Sequence, residues 1–143
     1  MNELTPDGLI FLCGVAIAIL SVFLYIFVRS RTNDGIVELP WFLMFGWGGA
    51  AWSPNIIVIS KDARNKKALI AHERRHQEQQ REHGLLNFWF KYITNKKFRL
   101  DMEVDAYRVW LQTSPEDYWQ VAQMLKGYGV DLTDAKIREL LLG

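Results

Sequence analysis

Cysteine is nearly absent from this chain. Cys13 is the single one, so no disulfide framework is available and a zinc site built on thiolates is excluded. Histidine is scarce as well, with three in the chain, so any regular spacing among them carries weight. Net charge is almost nil, 17 Lys and Arg against 16 Asp and Glu. No nucleic-acid-binding motif accompanies the basic residues, and no nucleic-acid partner is expected. The start of the chain lacks the basic flank and small-residue cleavage site of a secretory signal and carries Glu3 and Asp7 instead, so a cleavable leader is not expected. Internal repeats and low-complexity tracts are also missing.

What is present first is a long apolar run. Residues 9–28 carry no charge and are interrupted only by Gly14 and Ser21. As a helix, that run rises about 30 Å, the hydrocarbon thickness of a bilayer. A buried helix of a soluble core would show a polar stripe, and this one has none. The reading is a single-pass transmembrane anchor over residues 1–28. Arg29 and Arg31 follow directly, which by the positive-inside tendency directs the rest of the chain to the cytoplasmic side.

Beyond the anchor, residues 29–54 read as a juxtamembrane segment. Asn33-Asp34-Gly35 offers turn chemistry, so residues 29–35 are expected to form a linker or turn at the membrane surface. Residues 36–51 are aromatic-rich. Pro40 and the glycines oppose a spanning helix, leaving a membrane-associated segment or a strand or loop against the core. Residues 55–143 then form the folded domain. The β-branched run at 55–60 is a strand signal, and residues 63–81 favour helix, with His83-Gly84 as its end. Residues 85–99 mix Phe88, Trp89, Phe90 and Tyr92 with cations, either at the lipid headgroups or as core. Residues 100–111 are helical, Ser114-Pro115-Glu116-Asp117 opens a helix that Gly127 stops, and Thr133-Asp134 opens a last one. The fold class is α+β, mainly helical. Residues 61–99 hold eleven Lys or Arg against four Asp or Glu, a local excess that suits an anionic membrane surface.

His72-Glu73-Arg74-Arg75-His76 is an HExxH pattern. On a helix, residues four apart share one face about 6 Å apart along the axis, so two imidazoles can converge on one Zn²⁺. The glutamate beside the first histidine reaches the open side of the metal, where it can take a proton from water and return it to a leaving amine. A catalytic zinc usually takes three protein ligands and keeps a fourth position for water. His83, Asp101, Glu103 and Asp105 are the candidates for the third. On a continued helix His83 stands about 10 Å beyond His76, too far to share an ion unless the helix turns back. A second helix packed beside the first can present a carboxylate, and Glu103 is the preferred choice.

His72-Glu73-x-x-His76 followed by Glu103-x-x-Ala106 resembles the pattern of membrane-anchored gluzincins, the group that includes the CAAX prenyl endopeptidases and bacterial heat-shock membrane proteases. The resemblance spans residues 55–110, and the two motifs are its specific part. It implies a minimal zincin-like metallopeptidase domain, a hydrolase acting on protein or peptide substrates, with His72, His76 and Glu103 binding one Zn²⁺ and Glu73 as general base. It further implies that Ala106 lets the two helices approach. Where an aspartate often follows that alanine, this chain has Tyr107, so a carboxylate steadying a histidine must come from elsewhere; Asp101 or Asp105 could fill that role, or Asp105 could itself be the ligand. In size the chain resembles the short stand-alone HExxH proteins of phage and prophage genomes. Tyr92, Tyr107 and His83 are candidates for stabilising an oxyanion. In such zincins a strand beside the metal pairs with extended substrate, a role expected here for residues 55–60. Two other readings stand beside the peptidase: a non-catalytic protein that keeps zinc as a structural staple, and a metal-free basic domain that binds anionic lipid.

Overall fold

The computed structural model describes residues 6–44, 48–128 and 131–143. The first helix, α1 (Pro6–Thr32), is longer than the apolar run alone. Its 18-residue window Gly14–Arg31 is long and apolar enough to cross a membrane and is 6% buried, leaving most of the helix surface uncovered by protein. The segment expected as a linker from residue 29 is instead helical to Thr32, because nothing in Arg29-Ser30-Arg31 breaks the α-helical hydrogen bonding. The chain reverses only at Asn33-Asp34-Gly35. Asp34 (φ 47°) and Gly35 (φ 78°) take left-handed backbone there, and the Gly35 N–H donates to the Ser30 carbonyl at 3.0 Å. A Cβ on Gly35 would stand 2.2 Å from the Asn55 carbonyl oxygen, so this close approach requires glycine.

Three short strands follow: β1 (Ile36–Leu39), β2 (Gly49–Ser53) and β3 (Ile56–Ser60), with a 3-10 turn at Trp41–Met44 after β1. Residues 36–44 and 48–51 are thus strand and turn, while Phe45, Gly46 and Trp47 lie outside the described residues. The sheet order is β1-β3-β2. β1 runs parallel to β3 with Ile36 opposite Ile57, and β2 runs antiparallel with Ala50 opposite Val58 and an irregularity between Ala51 and Ser53. Two sequence expectations change. The strand at 55–60 is central, not an edge, since it is paired on both sides. The division at 54/55 also cuts through this sheet, because β1 and β2 belong to the layer that β3 completes.

β3 alternates as a doubly covered strand should. Ile57 and Ile59 pack with Ala68 and Leu69 in the main core, while Val58 joins Val37, Leu39, Met44 and Ile26 in a second cluster against α1. The sheet is therefore a middle layer between α1 and the helical part.

That part consists of α2 (Lys66–His83), α3 (Leu85–Thr94), α4 (Lys96–Thr113), α5 (Tyr118–Lys126) and α6 (Asp134–Leu142), with a 3-10 turn at Pro115–Asp117. α2 starts where the Asn65 side chain accepts from the Ala68 N–H, and α4 where Asn95 accepts from the Phe98 N–H, both ordinary N-caps. The Asn65 amide also donates to Ser114 Oγ at 2.7 Å and to Asp117 Oδ2 at 2.9 Å, tying the start of α2 to the end of α4. In α3 the apolar residues divide: Phe88 is buried, while Leu86, Phe90 and Ile93 are exposed. The observed class is α+β and mainly helical.

Candidate metal centre

The inward side of α2 is unusual in chemistry. Its buried residues fall at 68, 69, 72, 73, 76, 77, 79 and 80, a helical spacing, yet beyond Leu69 every one of them is polar or ionisable. Each buried polar group lacking a partner costs about 1–3 kcal/mol, so such a stripe persists only where partners are supplied. α4 supplies one of them. Its buried stripe, Leu100, Glu103, Val104, Tyr107, Trp110 and Leu111, is apolar or aromatic except for Glu103, which is 2% exposed and faces the two histidines. Ala106, one turn on, is fully buried at this packing of helices.

His72, His76 and Glu103 offer ligand atoms that all lie within 4.8 Å of one another, and together they can hold a metal ion. The two Nε2 atoms stand 3.1 Å apart. His76 Nε2 is 3.3 Å from Glu103 Oε1, and His72 Nε2 is 3.7 Å from Glu103 Oε2. Donors about 2.0–2.1 Å from a tetrahedral zinc stand about 3.3 Å from each other, close to the Nε2–Nε2 and the His76–Glu103 separations. Glu103 Oε2 is buried without a hydrogen-bond partner among the described residues, which is the condition of a ligand atom awaiting a cation.

The other side of His76 is fixed. Its Nδ1 is 2.8 Å from Gln79 Oε1, so Nδ1 carries the proton and Nε2 is left to coordinate. Gln79 is held in turn by donating to the Met102 carbonyl at 3.0 Å and to Asp105 Oδ2 at 2.8 Å. Arg75 Nε donates to that same carboxylate oxygen at 2.6 Å. Asp105 thus reaches His76 through Gln79, and its carboxylate lies outside the ligand group. The Tyr92 hydroxyl donates to Glu103 Oε1.

Glu73 lies beside the group, 4% exposed. A Cβ on Gly49 of β2 would come 3.0 Å from Glu73 Oε1 and 3.1 Å from Leu69, so the missing side chain makes the room that Glu73 occupies. Burial drives the Glu73 carboxyl up to about 7, with the His76 charge opposing and the Glu103 charge adding. Burial and the neighbouring His76 hold His72 down to about 3. For His76, burial is outweighed by its hydrogen bond to Glu103 and the charges of Glu103 and Glu73, which raise it to about 9. Glu103 is held down to about 2, because His76, His72 and Tyr92 outweigh its burial. Without an ion, the site is a buried imidazolium–carboxylate pair beside a proton-binding glutamate.

These groups line a cleft of about 1110 Å³ whose walls include Gly49, Leu69, Phe88, Tyr92, Trp110 and Tyr128. The Tyr107 ring lies 4.4 Å from that of His72, and its hydroxyl is 3.4 Å from that of Tyr128. Burial raises both phenols above their usual range, and Glu103 adds to the effect. His83 sits at the end of α2, its ring 5.1 Å from Phe98, and is not part of the ligand group. Asp101 is exposed and pairs with Lys97 at 2.7 Å.

The edge strand beside α2 is β2. Gln80 Nε2 donates to the Ala51 carbonyl at 2.6 Å and Gln77 Nε2 to the Ser53 carbonyl at 3.2 Å, and Arg81 donates to the Pro54 carbonyl. Sequence reasoning missed Gln77, Gln79, Gln80 and Tyr128. For the glutamines a signal existed, since 73, 76 and 80 continue one helical stripe. No known protein family, characterised protein or solved structure matches this chain.

Proposed function

We propose that this protein is a membrane-anchored zinc metallopeptidase of minimal zincin-like form, with His72, His76 and Glu103 as ligands and Glu73 as general base. The observation that carries the reading is the convergence of two Nε2 atoms and one carboxylate, 3.1–3.7 Å apart, with a second buried glutamate beside them. Such a zinc, when bound, polarises a water and the carbonyl under attack. Glu73, buried beside the ligand group, accepts the proton from water and passes it to the leaving nitrogen. Gln79 holds the His76 ring. Tyr92, Tyr107 and Tyr128 bring hydroxyls to the cleft, where one can donate to the developing oxyanion. Among the described residues no fourth Cys, His, Asp or Glu joins the ligand group, which supports an open position and a catalytic site over a closed structural one. α1 is read as the anchor, and Arg29 and Arg31 as placing the domain on the cytoplasmic side.

The test is elemental analysis and peptide hydrolysis with the detergent-solubilised full chain. One zinc per chain is expected, abolished by His76→Ala and by Glu103→Ala. Glu73→Gln is expected to keep zinc and lose turnover by about 10²-fold or more. A folded wild-type chain that takes up no zinc sinks the reading. Zinc uptake without hydrolysis of any peptide in a broad fluorogenic library leaves the structural-staple role in its place.

A further inference from the structure

The side of the sheet away from the metal meets α1, and this contact fixes how deep the domain sits. The inference rests on reading α1 as a membrane span. Asp7 is charged, so the hydrocarbon-crossing part begins no earlier than Gly8. A span needs about 20 residues, and at the least about 17, which carries it to residue 24 or beyond. Val22 and Phe23 then lie within the hydrocarbon on any placement. Yet both touch the folded domain. Val22 packs on the cluster of Ile26, Val37, Leu39, Met44 and Val58, and the Phe23 ring stands 5.9 Å from that of Trp52.

The chain reverses after Thr32, and Met44, at the end of the Trp41–Met44 turn, lies in the same cluster as Ile26 and Val22, so the turn is held against this part of α1. Met44 points inward, at 7% exposed, whereas Trp41, Phe42 and Leu43 are 64%, 60% and 38% exposed. An apolar corner of this kind, left to water, is costly. Cations frame it. Lys61 donates its backbone N–H to the Leu39 carbonyl at 2.8 Å, Lys66 neutralises Glu38 at 2.9 Å, and Lys61, Arg64 and Lys67 are exposed. Exposed apolar side chains on a turn whose strand is bonded to a lysine-bearing segment suit the boundary of anionic lipid.

We propose that the Trp41–Phe42–Leu43 corner inserts into the same leaflet that α1 enters, with Lys61, Arg64 and Lys67 at the lipid phosphates. The domain is then set into the membrane surface rather than held above it on a tether. Gly48 and Gly49, a few residues after the corner, already line the metal cleft, so the cleft wall begins next to the bilayer.

The experiment uses the full chain with Cys13→Ser, carrying a single environment-sensitive fluorophore through Phe42→Cys or, as reference, Ile17→Cys. Both positions are exposed, so neither substitution disturbs packing. Each protein is reconstituted into vesicles of phosphatidylcholine and phosphatidylglycerol, with quenchers on the acyl chains or iodide in the water. The expected result is acyl-chain quenching at both positions, with iodide quenching at position 42 at least fivefold weaker than for a free dye. Acyl-chain quenching at 17 with iodide quenching at 42 overturns the inserted corner and leaves the anchor standing. Iodide quenching at both positions overturns the anchor and the corner with it. Shelter from both quenchers at 42 overturns the proposal in favour of a protein partner, a second copy included.

Discussion

Toward α1 the sheet buries Val37, Leu39 and Val58 against Ile26 and Met44, a contact made wholly of hydrocarbon and thioether. Toward α2 it meets Leu69 and then a helix side bearing His72, Glu73, His76, Gln77 and Gln80, all buried. Both sides are buried, but by different physics. The first gains from each apolar area removed from water, about 25 cal/mol per Å², in any ionic condition. The second has desolvated ionisable groups, and what offsets that cost is hydrogen bonding and, on the reading above, a cation. One side holds the fold together, and the other is where the fold accepts a cost for a site.

The comparison breaks most readily by removing metal. A ligand held at about 1,000 times its dissociation constant stabilises by about 4 kcal/mol, so chelation is expected to lower the melting temperature of the wild-type chain by several degrees. Val58→Ala, on the hydrocarbon side, is expected to cost about 1–3 kcal/mol with and without zinc alike. Thermal denaturation with and without chelator reads both effects. A Val58→Ala chain that loses its response to chelation would show that the two sides are not independent.

A smaller effect concerns protons in the metal-free chain. Glu73 binds its proton more tightly folded, at about 7 against 4.5 unfolded. Between those values the folded state holds more protons, so stability falls as pH rises from 4.5 to 7 and then levels off. His76, raised to about 9, acts in the same direction above pH 6.5, so the Glu73 part is isolated by comparison with Glu73→Gln. Wild type is expected to lose up to about 3 kcal/mol relative to Glu73→Gln between pH 4.5 and 8 in chelator. Chemical denaturation at a series of pH values measures it, and parallel curves for the two proteins would remove the claim that this carboxyl is strained by burial.

The two sides also differed in how far they were legible. The hydrocarbon side announces itself by pattern: the apolar run at residues 9–28 and the β-branched run of β3 can be read from hydropathy alone. The metal group was legible because helix geometry ties residue 72 to residue 76 without knowledge of the fold, and the choice of Glu103 followed a resemblance. Strand order was not legible. Nothing in Asn55-Ile56-Ile57-Val58-Ile59-Ser60 says that β1 pairs on one side and β2 on the other, since that depends on the reversal at Gly35 and the close approach at Gly49. The Gln77-Glu78-Gln79-Gln80 run looks like a solvated surface; position 80 extends the stripe of 73 and 76, but what these glutamines bond to became visible only once β2 and α4 supplied the carbonyls and the Asp105 carboxylate they donate to.

Those glutamines offer the finest test of the division, because they share one helix and differ only in what they touch. Gln79 accepts from His76 Nδ1 and is itself oriented by Asp105 and Met102. Gln77 reaches only the Ser53 carbonyl of β2 among the described residues. Gln79→Leu removes the acceptor that keeps the proton on Nδ1, so the ring can turn or change tautomer, and zinc affinity is expected to fall about 10–100-fold. Gln77→Leu leaves one carbonyl without its donor, at a cost of about 1 kcal/mol to folding, and is expected to leave zinc affinity within about twofold, since it acts on the sheet contact alone. Competition against a chromogenic chelator separates the two outcomes. Equal losses in both variants would mean that α2 responds as a rigid whole, and the His76–Gln79 hydrogen bond would then have no role of its own in holding the ion.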